Sequence, residues 1–477
     1  MNERTEAKIF WSDQPDQLDN DCACSTASVL PAAKGREGSP LWERPPNLYL
    51  EALPERHTLV FNPFGPAGVV ALNAAALAEL EAFRVAQPIE SDTARQLAAL
   101  GLLQPQGAVQ GPPQVKPELL TAWLHVTNAC NLRCTYCYVN KTDEAMDEAT
   151  GRAAIDAIFR SARLHRFKGV KLKYAGGEAT LNFELVRTLH HYAKSLAVEH
   201  GLDFQDAVLS NGVALSNAML DFIRDNGINL MISLDGVGAA HDAQRVFING
   251  KGSFKIVAWS INRALIRGVR PHLSITVTGN SVDGVAKAVA FALDRDLPFN
   301  LNFYRENDYS KSQADLQAED ERLIAAMKAA FKVIEERLPQ RSLISALVDR
   351  SNFGGSHTHT CGAGHNYMVV DHKGGMTRCQ MEIDKPVTTV HAADPLLALQ
   401  TVSSGFQNVA VDDKEGCRTC EWRYWCTGGC PLLTRRVTGR SDVKSPYCNV
   451  YKALYPELLR LEGLRLVKWR EQNSLNL

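Results

Sequence analysis

From residue 119 onward, short apolar runs alternate with longer amphipathic ones. The short runs fall at 122–126, 170–174, 206–209, 230–234, 272–277 and 299–303. They have strand length and are rich in β-branched and large apolar residues. Between them, stretches at about 147–167, 182–200, 217–226, 253–267 and 283–295 carry apolar residues at helical spacing. Repeated strand–helix units build a parallel sheet with right-handed crossovers. Six units fall short of the eight that close a full barrel. The pattern therefore predicts an α/β fold, a partial (β/α)6 barrel, over residues 119–310. In such folds the working residues gather where strands end and loops begin.

The flanks have a different texture. Residues 1–46 are rich in Asp, Ser, Pro and Gly and read as a flexible tail. Residues 47–105 read as a small α+β unit, with strands near 48–50, 58–61 and 68–72. The turn Asn62-Pro63-Phe64-Gly65-Pro66 joins the last two as a hairpin, and Asn73 can cap a helix from Ala74. A second short helix is expected over 93–100. This order of hairpin and helices resembles the winged-helix-like units that recognise leader peptides; an extra packing layer is the other reading. Residues 106–118 read as a linker. Residues 311–350 are expected to form a helical bridge, with a helix at about 319–338. Residues 351–450 turn to short elements with Gly, Thr and Cys, a separate domain held by metal more than by an apolar core. A closing helix is expected in 451–477.

Composition narrows the classes. The chain has 477 residues, 45% hydrophobic and 22% charged, with a formal net charge of -1. That balance argues against a nucleic-acid binder driven by bulk charge. No apolar run approaches the roughly 18 residues of a membrane span, and the first residues lack a signal-peptide pattern. The expected location is cytoplasmic. Twelve cysteines change the picture, because ten of them fall in two groups, 130–137 and 361–448. Clustered cysteines in a reducing compartment point to metal ligation or catalysis. Cys22 and Cys24 stand apart in the tail and read as a free pair.

The first group is Cys130-Asn131-Leu132-Arg133-Cys134-Thr135-Tyr136-Cys137-Tyr138, directly after the first strand. Three cysteines in C-x3-C-x2-C spacing can bind three irons of a cubane and leave the fourth without a protein ligand. An open iron can chelate a small molecule, whereas a fully ligated cluster normally only passes electrons. Zinc would ask for a fourth ligand, and the nearest, His125, lies in the strand. The loop resembles the signature of radical S-adenosylmethionine (SAM) enzymes. That resemblance implies a SAM-binding 4Fe–4S cluster on Cys130, Cys134 and Cys137, and reductive cleavage of SAM to a 5′-deoxyadenosyl radical.

Neighbouring motifs carry the resemblance further. Gly176-Gly177-Glu178-Ala179 ends the second strand and is similar to the family's Gly-Gly-Glu-Pro, with Ala179 in place of the proline. Its glycines let backbone approach the SAM amine, and Glu178 can accept from it. Ser210-Asn211 ends the third strand; Ser233-Leu234-Asp235 ends the fourth, with Arg245 following. The resemblance implies SAM contacts from Tyr138, Gly176, Gly177, Glu178, Ser210, Asn211, Ser233, Asp235 and Arg245. Guanidinium suits a carboxylate, so Arg245 has the clearest chemical role among them.

The second group reads Cys361, Cys379, Cys417-x2-Cys420-x5-Cys426-x3-Cys430 and Cys448. The quartet from 417 to 430 taken alone would also suit zinc. The whole spacing resembles the SPASM domain, which implies two auxiliary iron–sulfur clusters, expected as 4Fe–4S. By that pattern Cys417, Cys420, Cys426 and Cys448 hold the outer one, and Cys361, Cys379 and Cys430 the inner one. The inner set lacks an eighth cysteine, so its fourth iron is either open or held by His357 or His359.

SPASM-bearing relatives act mostly on peptides or proteins. The resemblance implies a maturase of ribosomally made precursor peptides that forms thioether, carbon–carbon or carbon–oxygen crosslinks. A flavodoxin- or ferredoxin-like donor would supply the electron. Anaerobic sulfatase maturation is the alternative; there an Asp follows the cysteine equivalent to Cys379, and here Gln380 does, with Glu382 and Asp384 nearby. Arg305, at the end of the sixth strand, is expected to face the substrate side. A non-catalytic metal-bound scaffold is the reading from a different class.

Overall fold

The computed structural model describes residues 6–12, 41–108, 116–310, 313 and 315–474. Cys22 and Cys24 lie outside them. In chain order the N-terminal unit holds β1 (Ile9–Trp11), β2 (Trp42–Glu43), β3 (Tyr49–Leu53), β4 (His57–Phe61), β5 (Val69–Leu72), α1 (Ala74–Ala82), α2 (Asp92–Ala99) and β6 (Gln104–Pro105). Strands β1, β5, β4 and β3 form one antiparallel sheet in that spatial order, and β2 pairs β6. Asn73 caps α1 as its sequence suggests: its side chain accepts from Ala76 N at 3.0 Å. The structure differs from the tail expected over 1–46, because Ile9–Trp11 and Trp42–Glu43 are paired strands. Phe10 points into the buried core, a contact made by sequence-distant residues that local composition does not reveal.

The central body alternates β7 (Leu119–His125), α3 (Glu148–Leu164), β8 (Gly169–Ala175), α4 (Phe183–His200), β9 (Asp203–Ser210), α5 (Asn217–Asp225), β10 (Asn229–Ser233), α6 (Ala239–Asp242), α7 (Phe254–Ile266), β11 (His272–Val277), α8 (Val285–Leu293) and β12 (Phe299–Phe303). Strands β7 to β12 lie side by side in sequence order, all parallel. This is the open, partial α/β barrel that the hydrophobic rhythm predicts. Strand β8 is buried along its whole length, as expected of a parallel strand covered on both faces.

The C-terminal part holds α9 (Asp320–Glu336), β13 (Tyr367–Val370), β14 (Gly375–Thr377), β15 (Thr388–Thr389), α10 (Pro395–Gln400), α11 (Arg423–Cys426), α12 (Pro431–Thr438) and α13 (Cys448–Ser474). It is not separate from the barrel. Strand β13 pairs in parallel with β7, and β14 and β15 extend the same sheet to nine strands. Buried residues of the N-terminal sheet, the barrel and the C-terminal part share one apolar core. Residues 351–450 were expected to stand alone because their own apolar content is small; they borrow the core of their neighbour instead.

The N-terminal sheet meets the C-terminal part through an aromatic cluster. Phe61 packs edge-on to Trp425 at 4.9 Å, Phe353 lies 4.8 Å from Tyr455, and Trp425 Nε1 donates to the Pro63 carbonyl at 2.8 Å. Among the described residues no helix is long and apolar enough to cross a membrane.

Candidate functional site

The C-terminal ends of β7 to β12 surround a cavity of about 220 Å³. Its position follows the rule for parallel sheets, where loops leave the strand ends and converge. Tyr138, Gly176, Gly177, Glu178, Ser210, Asn211, Ser233 and Arg245 all line it. They come from five segments, each leaving or following a different strand. Asp235 does not line the cavity; it is fully buried behind the wall.

The glycine pair has a steric reason. A Cβ on Gly176 would stand 2.3 Å from the Thr127 carbonyl, and one on Gly177 would stand 2.4 Å from the Ala129 carbonyl. The Gly177 and Glu178 amides donate to Thr127 O and Ala129 O at 2.7 and 2.9 Å. Only residues without a side chain let this strand end lie against the loop entering the first cysteine group. Glu178 is buried at the next position and accepts four bonds. Its Oε1 takes Thr180 N, Thr180 Oγ1 and Ser210 Oγ at 3.1, 2.6 and 2.8 Å, and its Oε2 takes Asn211 N at 2.6 Å. Glu178 thus ties the ends of β8 and β9 together, and Ala179 in the proline's place still opens a short helical turn over 179–182.

Arg245 is held by two partners that lie far away in sequence. Its Nη1 donates to the Tyr136 hydroxyl and meets Asp235 Oδ2 at 3.5 Å. The Tyr136 hydroxyl donates to the same Oδ2 at 2.6 Å, and Thr276 N donates to Oδ1 at 2.8 Å. Arg245 Nε is buried with no hydrogen-bond partner. Its guanidinium is therefore fixed at the cavity wall with donor capacity to spare, which suits an anionic ligand group. Tyr136 sits between Cys134 and Cys137, so this network also anchors the cysteine loop. Its position inside C-x2-C was the available signal, but no local pattern names its partners.

The thiols of Cys130, Cys134 and Cys137 lie near enough to act on one another electrostatically. Burial pushes the Cys134 thiol up to about 12, with Arg245 opposing and Cys137 and Cys130 adding to it. Lys141 Nζ donates to Cys137 Sγ at 2.7 Å, and Asn211 Nδ2 reaches Cys130 Sγ at 3.8 Å. Cationic and amide donors aimed at the sulfurs suit a thiolate-ligated group. Among the described residues no three His, Cys, Asp or Glu side chains converge on a point where one metal ion would sit. A cubane asks for a different arrangement, since each thiolate takes its own iron at a separate corner.

The seven C-terminal cysteines divide between two further cavities. Cys361, Cys379 and Cys430 line one, while Cys417, Cys420, Cys426 and Cys448 line the other. Both walls are largely apolar otherwise, with Phe406 and Leu432 in the first and Trp422 and Tyr455 in the second. Three thiols and four thiols around two enclosed, dry spaces fit two iron–sulfur clusters. Neither His357 nor His359 lines the three-cysteine cavity. His357 Nδ1 meets Gly355 O at 3.0 Å and its Nε2 meets Thr427 Oγ1 at 3.4 Å; His359 stacks on His365 at 4.2 Å. The histidine-ligand alternative therefore finds no support in the geometry.

Arg305 is pinned by Asp349, with Nη2 within 2.7 and 2.6 Å of its two oxygens. It borders both the barrel cavity and the three-cysteine cavity, as do Arg350, Gln380 and Met381. These last three went unnoticed as site residues, because they become neighbours of the barrel mouth only when β13 joins its sheet.

Residues 124–291 match the family model of the radical SAM superfamily. An uncharacterised protein of Methanocaldococcus jannaschii is 34% identical over 131 residues, 27% of this chain and 43% of its own length. The chain thus spans less than half of that relative. A cysteine-type anaerobic sulfatase-maturating enzyme of Clostridium novyi is 22% identical over 68% of this chain and 91% of its own length. Among solved structures, anSMEcpe with bound AdoMet and the Cp18Cys peptide superposes with a TM-score of 0.60 at 18% identity, over 73% of this chain and 99% of that one. Streptococcus suis SuiB bound to precursor peptide SuiA gives 0.50 at 14% identity, over 85% and 99%. With the cysteine loop, the Gly-Gly-Glu turn and the barrel mouth in one place, this chain belongs to the radical SAM superfamily of enzymes, whose domain works with a 4Fe–4S cluster and SAM.

Proposed function

We propose that this chain is a peptide-modifying radical SAM enzyme that forms an oxidative crosslink, thioether, carbon–carbon or carbon–oxygen, within a ribosomally made precursor peptide. The bound cluster and SAM supply a 5′-deoxyadenosyl radical. The chain's own residues hold and shield the reactants. In this reading Cys130, Cys134 and Cys137 hold the SAM-side cluster. Arg245 binds the SAM carboxylate, and Gly176, Gly177, Glu178, Ser210 and Ser233 frame the rest of the molecule. The other seven cysteines hold the two auxiliary clusters, and an acidic flavodoxin- or ferredoxin-like protein delivers the electron.

The observation that carries this reading is the shared wall of Arg305, Arg350, Gln380 and Met381. A peptide segment seated there reaches the SAM side of the cavity and the three-cysteine site at once. A crosslink removes two hydrogens: one leaves to the deoxyadenosyl radical, and the second leaves as a proton and an electron. A second, electron-accepting site beside the same substrate atom suits that balance. Strand β3 adds support. It lies at the edge of the N-terminal sheet, from which an extended leader peptide can add as a further strand.

Sulfatase maturation is the second reading, favoured by the 91% of the Clostridium novyi enzyme's length that the alignment spans. Against it, Gln380 occupies the cavity position where that chemistry needs a carboxylate base. Neither Glu382 nor Asp384 lines either cavity, and Asp384 accepts from the Tyr309 hydroxyl at 2.7 Å on the surface. Co-expression with the short reading frames encoded beside the gene, followed by intact-mass measurement, decides between them. Loss of two hydrogens with fragmentation blocked across a defined segment supports the crosslinking reading. Unmodified peptides together with formylglycine in a co-expressed sulfatase would replace it.

A further inference from the structure

Lys414 is almost wholly buried, at 1% exposure. A buried ammonium needs a compensating negative charge, or its desolvation costs several kcal/mol. No carboxylate among the described residues supplies one. The flanking acids turn outward: Asp412 pairs with Arg423 and Glu415 with Arg440. The Nζ donates to the Thr427 carbonyl at 2.8 Å, which uses one of its three N–H groups.

Its surroundings are the two auxiliary cysteine sets. Thr427, Gly428 and Gly429 fill the C-x3-C interval between Cys426 of the four-cysteine cavity and Cys430 of the three-cysteine cavity. All three adopt positive φ, at 52°, 80° and 69°, so the interval coils tightly around the lysine. A Cβ on Gly428 would stand 3.2 Å from both Lys414 Nζ and Cys417 Sγ, which leaves this position to glycine. On the other side, Thr360, the residue before Cys361, donates to the same Thr427 carbonyl at 3.0 Å. Burial pulls the Lys414 ammonium down, and four thiols oppose it, Cys417 and Cys426 from one set and Cys361 and Cys430 from the other.

We propose that Lys414 is a counter-ion shared by the two auxiliary clusters, and that its positive charge holds both at a higher reduction potential than they would otherwise have. The reasoning is electrostatic: adding an electron to an anionic cluster is favoured by a fixed cation in a low-dielectric interior. It rests on the reading that both sets carry iron–sulfur clusters.

The test is a redox titration of the full-length, reconstituted enzyme, followed by electron paramagnetic resonance, for wild type, Lys414→Met and Lys414→Arg. Iron and acid-labile sulfide are measured first; absence of auxiliary clusters in wild type would sink the underlying cluster reading by itself. The expected result is a negative shift of both auxiliary midpoint potentials in Lys414→Met, no shift of the SAM-side cluster, and recovery in Lys414→Arg. Clusters lost in Lys414→Met but retained in Lys414→Arg would also support a charge role. Unchanged potentials with intact clusters would overturn the proposal. A shift confined to one auxiliary cluster, or equal failure of both variants to assemble, would overturn it too.

Discussion

Tyr136 and Asp235 lie 99 positions apart and share a hydrogen bond of 2.6 Å beneath the floor of the barrel cavity. Asp235 at the same time accepts from Arg245 and from the β11 backbone. The carboxylate therefore acts on the site through the arginine. Asp235→Asn should keep the fold but loosen the guanidinium. Weakening of a charge-assisted bond by about 1.5–3 kcal/mol corresponds to a loss of SAM affinity of roughly tenfold or more. Isothermal titration on the reconstituted protein reads this directly, and unchanged affinity would remove Asp235 from a positioning role.

The close approach at Gly177 gives a second expectation. A methyl group there meets the Asn128 and Ala129 carbonyls, both at 2.4 Å from the added Cβ. Backbone on both sides cannot yield as a flexible side chain would. Gly177→Ala should displace the cysteine loop and reduce SAM binding, with the auxiliary clusters left in place. Iron quantitation beside SAM titration separates this from global unfolding.

The division of the cysteines predicts independent losses. Cys134→Ala should lower iron content by about a third, as one of three 4Fe–4S clusters goes, and abolish formation of 5′-deoxyadenosine. Cys448→Ala should lower it by a similar share while SAM still binds. Persistent deoxyadenosine from Cys134→Ala would refute the SAM-side assignment.

A pH dependence follows from His241. Its Nδ1 accepts from Asp235 N at 3.3 Å, and its Nε2 faces Ser253 Oγ at 3.0 Å, whose hydroxyl donates to Arg245 O. Both contacts need the neutral ring with the proton on Nε2. Burial first, then the Arg245 charge, lowers its pKa from 6.5 to about 4. Above the unfolded value of 6.5 its contribution to stability is complete. As pH falls from there toward 4, the unfolded chain takes up a proton that the folded chain refuses, and stability declines. One unit below 6.5 the loss is roughly 1.4 kcal/mol. The gap in unfolding midpoint between wild type and His241→Gln should therefore narrow from pH 7.5 to 5.5. A gap that stays constant would show that His241 does not titrate this way.

Local signals in the chain were enough for the six parallel strands, the helices between them and the cysteine groups. An apolar run of strand length, a helical stripe and a C-x3-C-x2-C loop are properties of neighbouring residues, and each carries its own physical constraint. The capping of α1 by Asn73 and the steric need for Gly176 and Gly177 belong to the same class. Only tertiary structure decided that β13 would join β7, because parallel pairing across more than 240 positions leaves no periodic trace. That one pairing brings Gln380, Met381 and Arg350 to the barrel mouth. It likewise took the folded chain to seat Phe10 in the core, to pair Tyr136 with Asp235, and to leave Lys414 between two cysteine sets. The sequence determined which residues could do the chemistry; the fold decided which of them share a wall, because burial and charge are set by neighbours distant along the chain.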